Sequence, residues 1–252
     1  MNWVERWDRQ QEMYVPHRED RFNVMFEVVE RECPSSNSLT VLDLGCGPGA
    51  IGTRLLDRFA LATYVGLDVD PVLLHLAGEV GLPYGDRFRV ASADLALDGW
   101  SDGLELHHFD AVTSSTALHW LTRPQLEALA SQVRQLLRPG GVFVDCDNLG
   151  FTSARLQRIA SAVDAEHVAK AEASGTESWD AWWGAARQDA VLGPLCEQRD
   201  IRFPPSESGE SPPPAYGEYH DVFTTAGFDD VDTVWQRFDD RVMVAFAPHD
   251  HP

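Results

Sequence analysis

The sequence predicts an α/β fold, a doubly wound and mostly parallel sheet with helices on both faces, finished by two antiparallel strands. Three observations predict it. Between residues 39 and 148, short apolar runs alternate with helix-length amphipathic stretches. The first apolar run opens onto alternate glycines in "VLDLGCGPG". Near the C-terminus, "FDDVDTVWQRFDDRVMVAFAPH" holds two apolar runs too close together for a crossover helix, which leaves a hairpin.

In chain order, Trp3, Trp7, Met25, Val28 and Val29 recur at helical spacing over residues 3–33, interrupted at Pro16. "CPSSNS" reads as a linker. The run Leu39–Leu44 is a buried strand, and a helix follows the glycines from Ala50 to Phe59. Next come the strand "TYVGLDVD", a helix beginning near Pro71, and the strands "FRVASAD" and "FDAVTSS". A helix from Arg123 to Leu137 leads through the turn "RPGG" into the strand "VFVDCDN". Strands joined this way require right-handed crossovers, and the sheet is covered on both faces. After Asn148 the rhythm breaks. Residues 153–200 read as helical with a tryptophan cluster, and 204–214 as a loop rich in Pro, Ser and Glu. Then come a helix, a glycine stop and the hairpin, which brings the strand count to seven; "APHDHP" frays.

With 252 residues, 44% of them hydrophobic, the chain is long enough for one large domain or a domain with an insertion. No apolar run approaches the ~20 residues that cross a bilayer. The start "MNWVERWDRQQEMY" is too polar for a signal peptide, so the cytoplasm is the expected location. The net charge of -20 and the lack of a basic stripe argue against a nucleic-acid partner. Cys33, Cys46, Cys146 and Cys196 are scattered without zinc spacing, which argues against structural metal and a disulfide framework.

A strand feeding a helix through Gly45, Gly47 and Gly49 lets a ligand lie against bare backbone, facing a helix N-terminus. Dinucleotide enzymes use a similar loop, and a tight turn needs no ligand at all. The acids separate these readings. Asp43 lies within the first strand, where an anion would oppose a pyrophosphate but suit a cation; a helix-dipole partner is the plainer alternative. Asp68 ends the second strand, where ribose hydroxyls want an acceptor, and Asp94 ends the third, either in the same crevice or as an N-cap. One acid at each of three successive strands favours a nucleoside bearing a positively charged amino-acid group.

Together "VLDLGCGPG", "GLDVD", "ASADL", "FDAVTSSTALHWL" and "LLRPGGVF" resemble the ordered motifs of class I S-adenosylmethionine-dependent methyltransferases, over residues 38–148. Within that family the chain is most similar to small-molecule methyltransferases of the trans-aconitate and ubiquinone-biosynthesis type. The resemblance implies a Rossmann-like seven-stranded sheet and S-adenosyl-L-methionine as cofactor, with S-adenosyl-L-homocysteine as product. It implies that Gly45, Cys46 and Gly47 line the methionine part and that Asp43 holds its amino group. Gly49 admits the following helix. Asp68 takes the ribose hydroxyls, Val69 packs on the adenine, Asp94 accepts from the adenine amino group, and the backbone of Leu95 faces the ring. Ser114 offers its carbonyl to the methionine amine.

His119 in "STALHWL" is then a candidate base near the methyl group, or a residue shaping the cofactor floor. Trp120 packs on the cofactor or core. His220 is a weaker candidate, and His17 and His167 read as surface histidines. Tyr14 and Arg18, with Arg21 competing, would close over the methionine carboxylate from the N-terminal helix, unless they are ordinary surface residues. Trp179, Trp182 and Trp183 share a helix face that is either core or an apolar or aromatic acceptor pocket, with Gly175 and Gly184 as hinge candidates. The expected domains are an N-terminal helical cap (1–37), a cofactor core (38–150), a helical substrate lid (151–215) and a C-terminal helix with antiparallel strands (216–252). The expected partner is a small-molecule acceptor. A silent cofactor-binding module, a nicotinamide-dependent oxidoreductase and an RNA or protein methyltransferase remain as rivals.

Overall fold

The computed structural model describes residues 2–33, 39–204 and 214–249. The "PSSNS" part of the expected linker, residues 205–213 of the expected loop, and the last three residues of the expected frayed end lie outside the described residues.

Seven strands form one sheet: β1 Thr40–Leu44, β2 Thr63–Asp68, β3 Phe88–Ser92, β4 Phe109–Ser115, β5 Leu137–Asn148, β6 Asp229–Arg237 and β7 Asp240–Phe246. Their order is β3-β2-β1-β4-β5-β7-β6. The first five pair in parallel, and β7 runs antiparallel between β5 and β6. Because β1 lies between β2 and β4, the strand order reverses there and opens a crevice above their C-terminal ends. "RPGG", expected as a turn ahead of the fifth strand, is instead absorbed into β5. Leu137 pairs with Phe109, the register then shifts, and Val142 pairs with Ala111.

Helices α1 (Trp3–Tyr14) and α2 (Arg18–Glu32) break where Pro16 falls. Asn2 and Glu5 close a capping box on α1. The crossover helices are α3 (Ala50–Arg58), α4 (Pro71–Gly81) and α5 (Arg123–Leu136). Asp70 starts α4 by accepting from the backbone N–H groups of Val72 and Leu73, with Pro71 in the first turn. The region expected to be helical after β5 resolves into α6 (Ala154–Ala173), α7 (Trp179–Ala186) and α8 (Leu192–Arg202), and α9 (Tyr216–Thr225) precedes the hairpin.

Strand alternation sends side chains to two cores. Leu42, Leu44, Val112, Phe143 and Met243 pack under α5 and α9, while Val41, Tyr64, Ala111, Val144 and Val242 pack with Phe22, Met25 and Val29 of α2 and Leu55 of α3. A third cluster joins Trp7, Val72, Leu76, Trp182, Trp183 and Leu192. It ties α1, α4, α7 and α8 together beside the sheet. Among the described residues no helix is long and apolar enough to cross a membrane.

Candidate functional site

The loop after β1 is built by backbone hydrogen bonds. The N–H groups of Gly45 and Cys46 both donate to the Leu67 carbonyl, at 2.8 and 2.9 Å, which folds the loop over the end of β2. Gly45, Gly47 and Gly49 take φ of 71°, 53° and 85°, which side chains rarely adopt. Two of these glycines have distinct reasons. A Cβ on Gly49 would run into the Phe88 ring, so the glycine lets α3 pack against β3. A Cβ on Gly47 would meet nothing within 4 Å, so that backbone faces open space, as a ligand platform must. Cys46, buried, turns its sulfur to the Gly47 carbonyl.

Asp68 holds the loop as well as facing the crevice. Its Oδ2 accepts from Gly47 N–H at 2.8 Å, and its Oδ1 from the N–H groups of Val69 and Asp70 at 2.7 and 2.9 Å. Burial pushes its carboxyl up while the three backbone donors pull the other way. Two carboxylate oxygens have about four acceptor sites, so one remains for a ligand hydroxyl. Val69, partly exposed, stands next to it.

Asp43 is not in the crevice. Its carboxyl is fully buried and accepts from the Tyr64 hydroxyl at 2.7 Å and the Thr113 hydroxyl at 3.1 Å. Burial pushes it up to about 7 against those two donors. The folded chain therefore keeps a proton that an unfolded chain releases near its ordinary value of ~3.9. This contribution to stability is complete below about pH 4 and is lost as pH rises through 7. Asp43→Asn is expected to flatten that decline, read as denaturant midpoints across the range; an unchanged slope would remove Asp43 as its source.

Asp94, expected at the end of the third strand, lies two residues past β3; it accepts from Ala96 N–H at 3.0 Å and pairs with Arg202 of α8 at 3.1 Å. Arg199, one turn earlier, pairs with Asp70 at 2.6 Å and stacks on Trp183 at 4.0 Å. Helix α8 is thus fastened to two acids on the rim of the crevice, and an adenine amino group would have to share Asp94 with Arg202. Leu95 is partly buried against the α5 side of the core.

Near the end of β4, Ser114 is fully buried, and His119, beyond the strand, is partly exposed. His119 Nδ1 lies 2.9 Å from both carboxylate oxygens of Asp147, which is fully buried near the end of β5. Burial pulls the imidazole down, but the Asp147 charge and hydrogen bond outweigh it and leave the imidazole above its ordinary value. With Nδ1–H given to Asp147, Nε2 is the free, basic nitrogen. The sequence reading missed Asp147. Its only signal was alternation in "VFVDCDN", which sets Asp145 and Asp147 on one face of β5.

Several expectations need correction. Trp120 is not part of the core; it is 76% exposed, with its ring 4.9 Å from that of His119. Arg18, buried, is held by Asp8 at 2.6 Å and stacks on Phe22, so it is not free to meet a ligand carboxylate. Arg21, also buried, pairs with Asp240, donates to Asn148 Oδ1 at 2.9 Å and reaches the Cys146 carbonyl. The Tyr14 hydroxyl accepts from Trp179 N–H at 3.2 Å. Tyr14 and Arg21 line a small, open-mouthed pocket with Asn148, Asp164 and Phe238. His17 and His167, read as surface histidines, line it too. Trp182 and Trp183 are core, and Trp179 is half-exposed. His220 stands beside Asp221, on a helix whose buried face is Tyr219, Val222 and Phe223.

Residues 41–141 match the family model described as a methyltransferase domain. The chain is similar to trans-aconitate 2-methyltransferase of Azoarcus sp. (strain BH72), 30% identical over 136 residues, covering 54% of this chain and 48% of that protein. It is 38% identical over 103 residues to the protein of that name from Deinococcus radiodurans, covering 40% and 35%. It is also 29% identical over 107 residues to the reducing polyketide synthase Preu2 of Preussia isomera, covering 42% and 4%. The chain therefore spans about half or less of the length of these relatives. Among solved structures it resembles the magnesium protoporphyrin IX methyltransferase of Synechocystis PCC 6803, with TM-score 0.55 and 16% identity, covering 95% and 93% of the two chains. The CurJ carbon methyltransferase gives TM-score 0.53 and 22% identity, covering 84% and 49%. At these identities the structural likeness is one of fold.

Proposed function

We propose that this chain, whose residues 41–141 form a methyltransferase domain of the class I, S-adenosylmethionine-dependent kind, transfers a methyl group to a small molecule that carries a proton on its nucleophilic atom. The observation that carries the second half is the His119–Asp147 pair at the ends of β4 and β5, beside the switch-point crevice. An acceptor that is already a carboxylate or a tertiary amine needs no base; an imidazole with its tautomer fixed by a buried carboxylate is what a hydroxyl or an acidic C–H needs.

The glycine loop fits the cofactor: bare backbone at Gly47, and at Asp68 a carboxylate with an acceptor site to spare. Asp68 would take the ribose hydroxyls, with Val69 on the base, Asp94 and Leu95 at the adenine edge, and the Ser114 carbonyl at the ammonium. Asp43 would act beneath the loop, fixing β1 to β2 and β4 through Tyr64 and Thr113. Bound there, S-adenosylmethionine supplies an electrophilic methyl on a sulfonium that departs as a neutral thioether. His119 Nε2 would take the proton from the acceptor's nucleophilic atom, and Asp147 would stabilise the resulting imidazolium. Holding the acceptor in line and dry contributes up to ~7–11 kcal/mol. The cavity behind Tyr14 and Arg21, between the N-terminal helices, α6 and the β6–β7 turn, supports an acceptor site there, with α6, α7 and α8 as the lid.

The cofactor assignment is tested by calorimetry with S-adenosylhomocysteine. Wild type is expected to bind, and Asp68→Ala to bind ~1–3 kcal/mol more weakly, through lost charge-assisted hydrogen bonds and a slackened loop. Equal affinity would overturn the assignment. Transfer is tested with methyl-labelled cofactor and a small-molecule extract. Label in a small molecule supports the reading, and binding without label in any product would make the chain a silent binding module.

A further inference from the structure

Two carboxyl groups lie buried on the same face of β5, two residues apart, and they have unequal surroundings. Asp147 accepts from His119 Nδ1 and, at 2.7 Å, from the N–H of Asn148. Both oxygens of Asp145 are buried without a partner among the described residues, as are Ser114 Oγ and the Tyr219 hydroxyl. These are one cluster. Ser114 is the register neighbour of Asp145 on β4, and α9 sets Tyr219 over the same face, where burial holds its phenol proton firmly. On the other side the register neighbour is Met243, which carries no charge. Two buried cations lie near the pair: Arg21 on α2, engaged by Asp240 and Asn148, and Arg241, the register neighbour of Asp147 on β7, which donates to the Leu149 carbonyl and Gln236 Oε1. A charged carboxylate in such a place would need donors all round it. A neutral carboxyl avoids most of the desolvation cost. Two like charges this close in a dry interior do not both form.

We propose that Asp145 is a positioning residue: it carries the one proton available to the two buried carboxyls of β5, so that Asp147 alone presents negative charge to His119. This rests on the reading of His119 as the base and deepens it. Burial and the neighbouring Asp147 charge both act to keep the proton on Asp145. The consequence falls on the imidazole. A single charge behind it fixes the tautomer and raises its basicity; a second would hold it protonated at neutral pH, where a protonated imidazole accepts nothing. Asp145 touches neither ligand nor reacting atoms and acts only through Asp147.

The test is an NMR titration of the His119 ring in the full chain, which needs neither acceptor nor turnover. Its outcome is therefore separate from whether the chain transfers methyl groups. Asp145→Asn, which replaces a neutral carboxyl with a neutral amide, is expected to leave the His119 midpoint where wild type has it, while Asp147→Asn lowers it by about one unit or more. If Asp145→Asn lowers the midpoint as Asp147→Asn does, Asp145 is charged and the proposal fails. Should the variant not fold, infrared spectroscopy on the wild-type chain decides. At about pH 9, where Asp43 has ionised, a protonated-carboxyl C=O band is expected to persist; its absence overturns the proposal.

Discussion

His119→Ala is expected to lower methyl transfer by about 10²–10⁴-fold, the usual worth of a positioned base, while leaving S-adenosylhomocysteine affinity nearly unchanged. The separation follows from geometry. His119 makes its hydrogen bonds to Asp147 on β5 and is not part of the glycine loop or of the Asp68 hydrogen bonds that hold it. Its effect should therefore appear in kcat rather than in cofactor binding. In the wild type, the rate should rise with pH as the imidazole loses its proton, with the acid limb above the ~6.5 of a free histidine, because Asp147 raises the group. Asp147→Asn should move that limb down and lower the plateau, since the amide neither fixes the tautomer nor stabilises the imidazolium. A single-turnover rate for His119→Ala equal to wild type at every pH would demote the residue to scaffold.

Trp182→Ala is expected to destabilise the chain by ~3–5 kcal/mol, the range for emptying a buried aromatic site. For a chain of this length that is a fall of roughly 10 °C in Tm. Trp182 is fully buried, packs edge-on against Trp3, Trp7 and Trp183 at ring distances of 5.4, 5.0 and 5.0 Å, and donates its indole N–H to the Trp3 carbonyl. It fastens α7 to the N-terminal helix α1. Arg6 and Glu177 make a second tie between the same segments at 2.5 Å, too exposed to replace it. Trp179→Ala, at a half-exposed ring, should cost far less. A thermal melt in which the two variants unfold together would contradict the assignment of Trp182 to the core.

The sheet and the glycine loop were legible in the sequence because they depend on local periodicity. Apolar runs of strand length, each followed by an amphipathic stretch, leave few ways to pair, and residues 39–148 form the five parallel strands they predict. The close pair of runs at the C-terminus likewise forms the antiparallel hairpin β6–β7. Asp68 could be read at the end of β2 because strand ends and crevices coincide in this topology. Asp43 shows the limit. Sequence spacing put it beside the ligand, but Tyr64 and Thr113, neighbours only once three strands align, turn its carboxyl inward.

The same limit governs the charged residues of α2. Arg18 and Arg21 looked alike on one helix, and their partners Asp8 and Asp240 come from different ends of the chain. Alternation could not show that Asp147 meets His119 across 28 residues while Asp145, two positions away, is buried without a hydrogen-bond partner among the described residues. The sequence by itself determined the sheet and the bare glycine turn, because backbone conformation and side-chain periodicity act over a few residues. Only the tertiary structure decided which acid supports the histidine, which one is buried away from water and which arginines are already paired, because electrostatic partners are chosen by distance in space and by the loss of solvent around them.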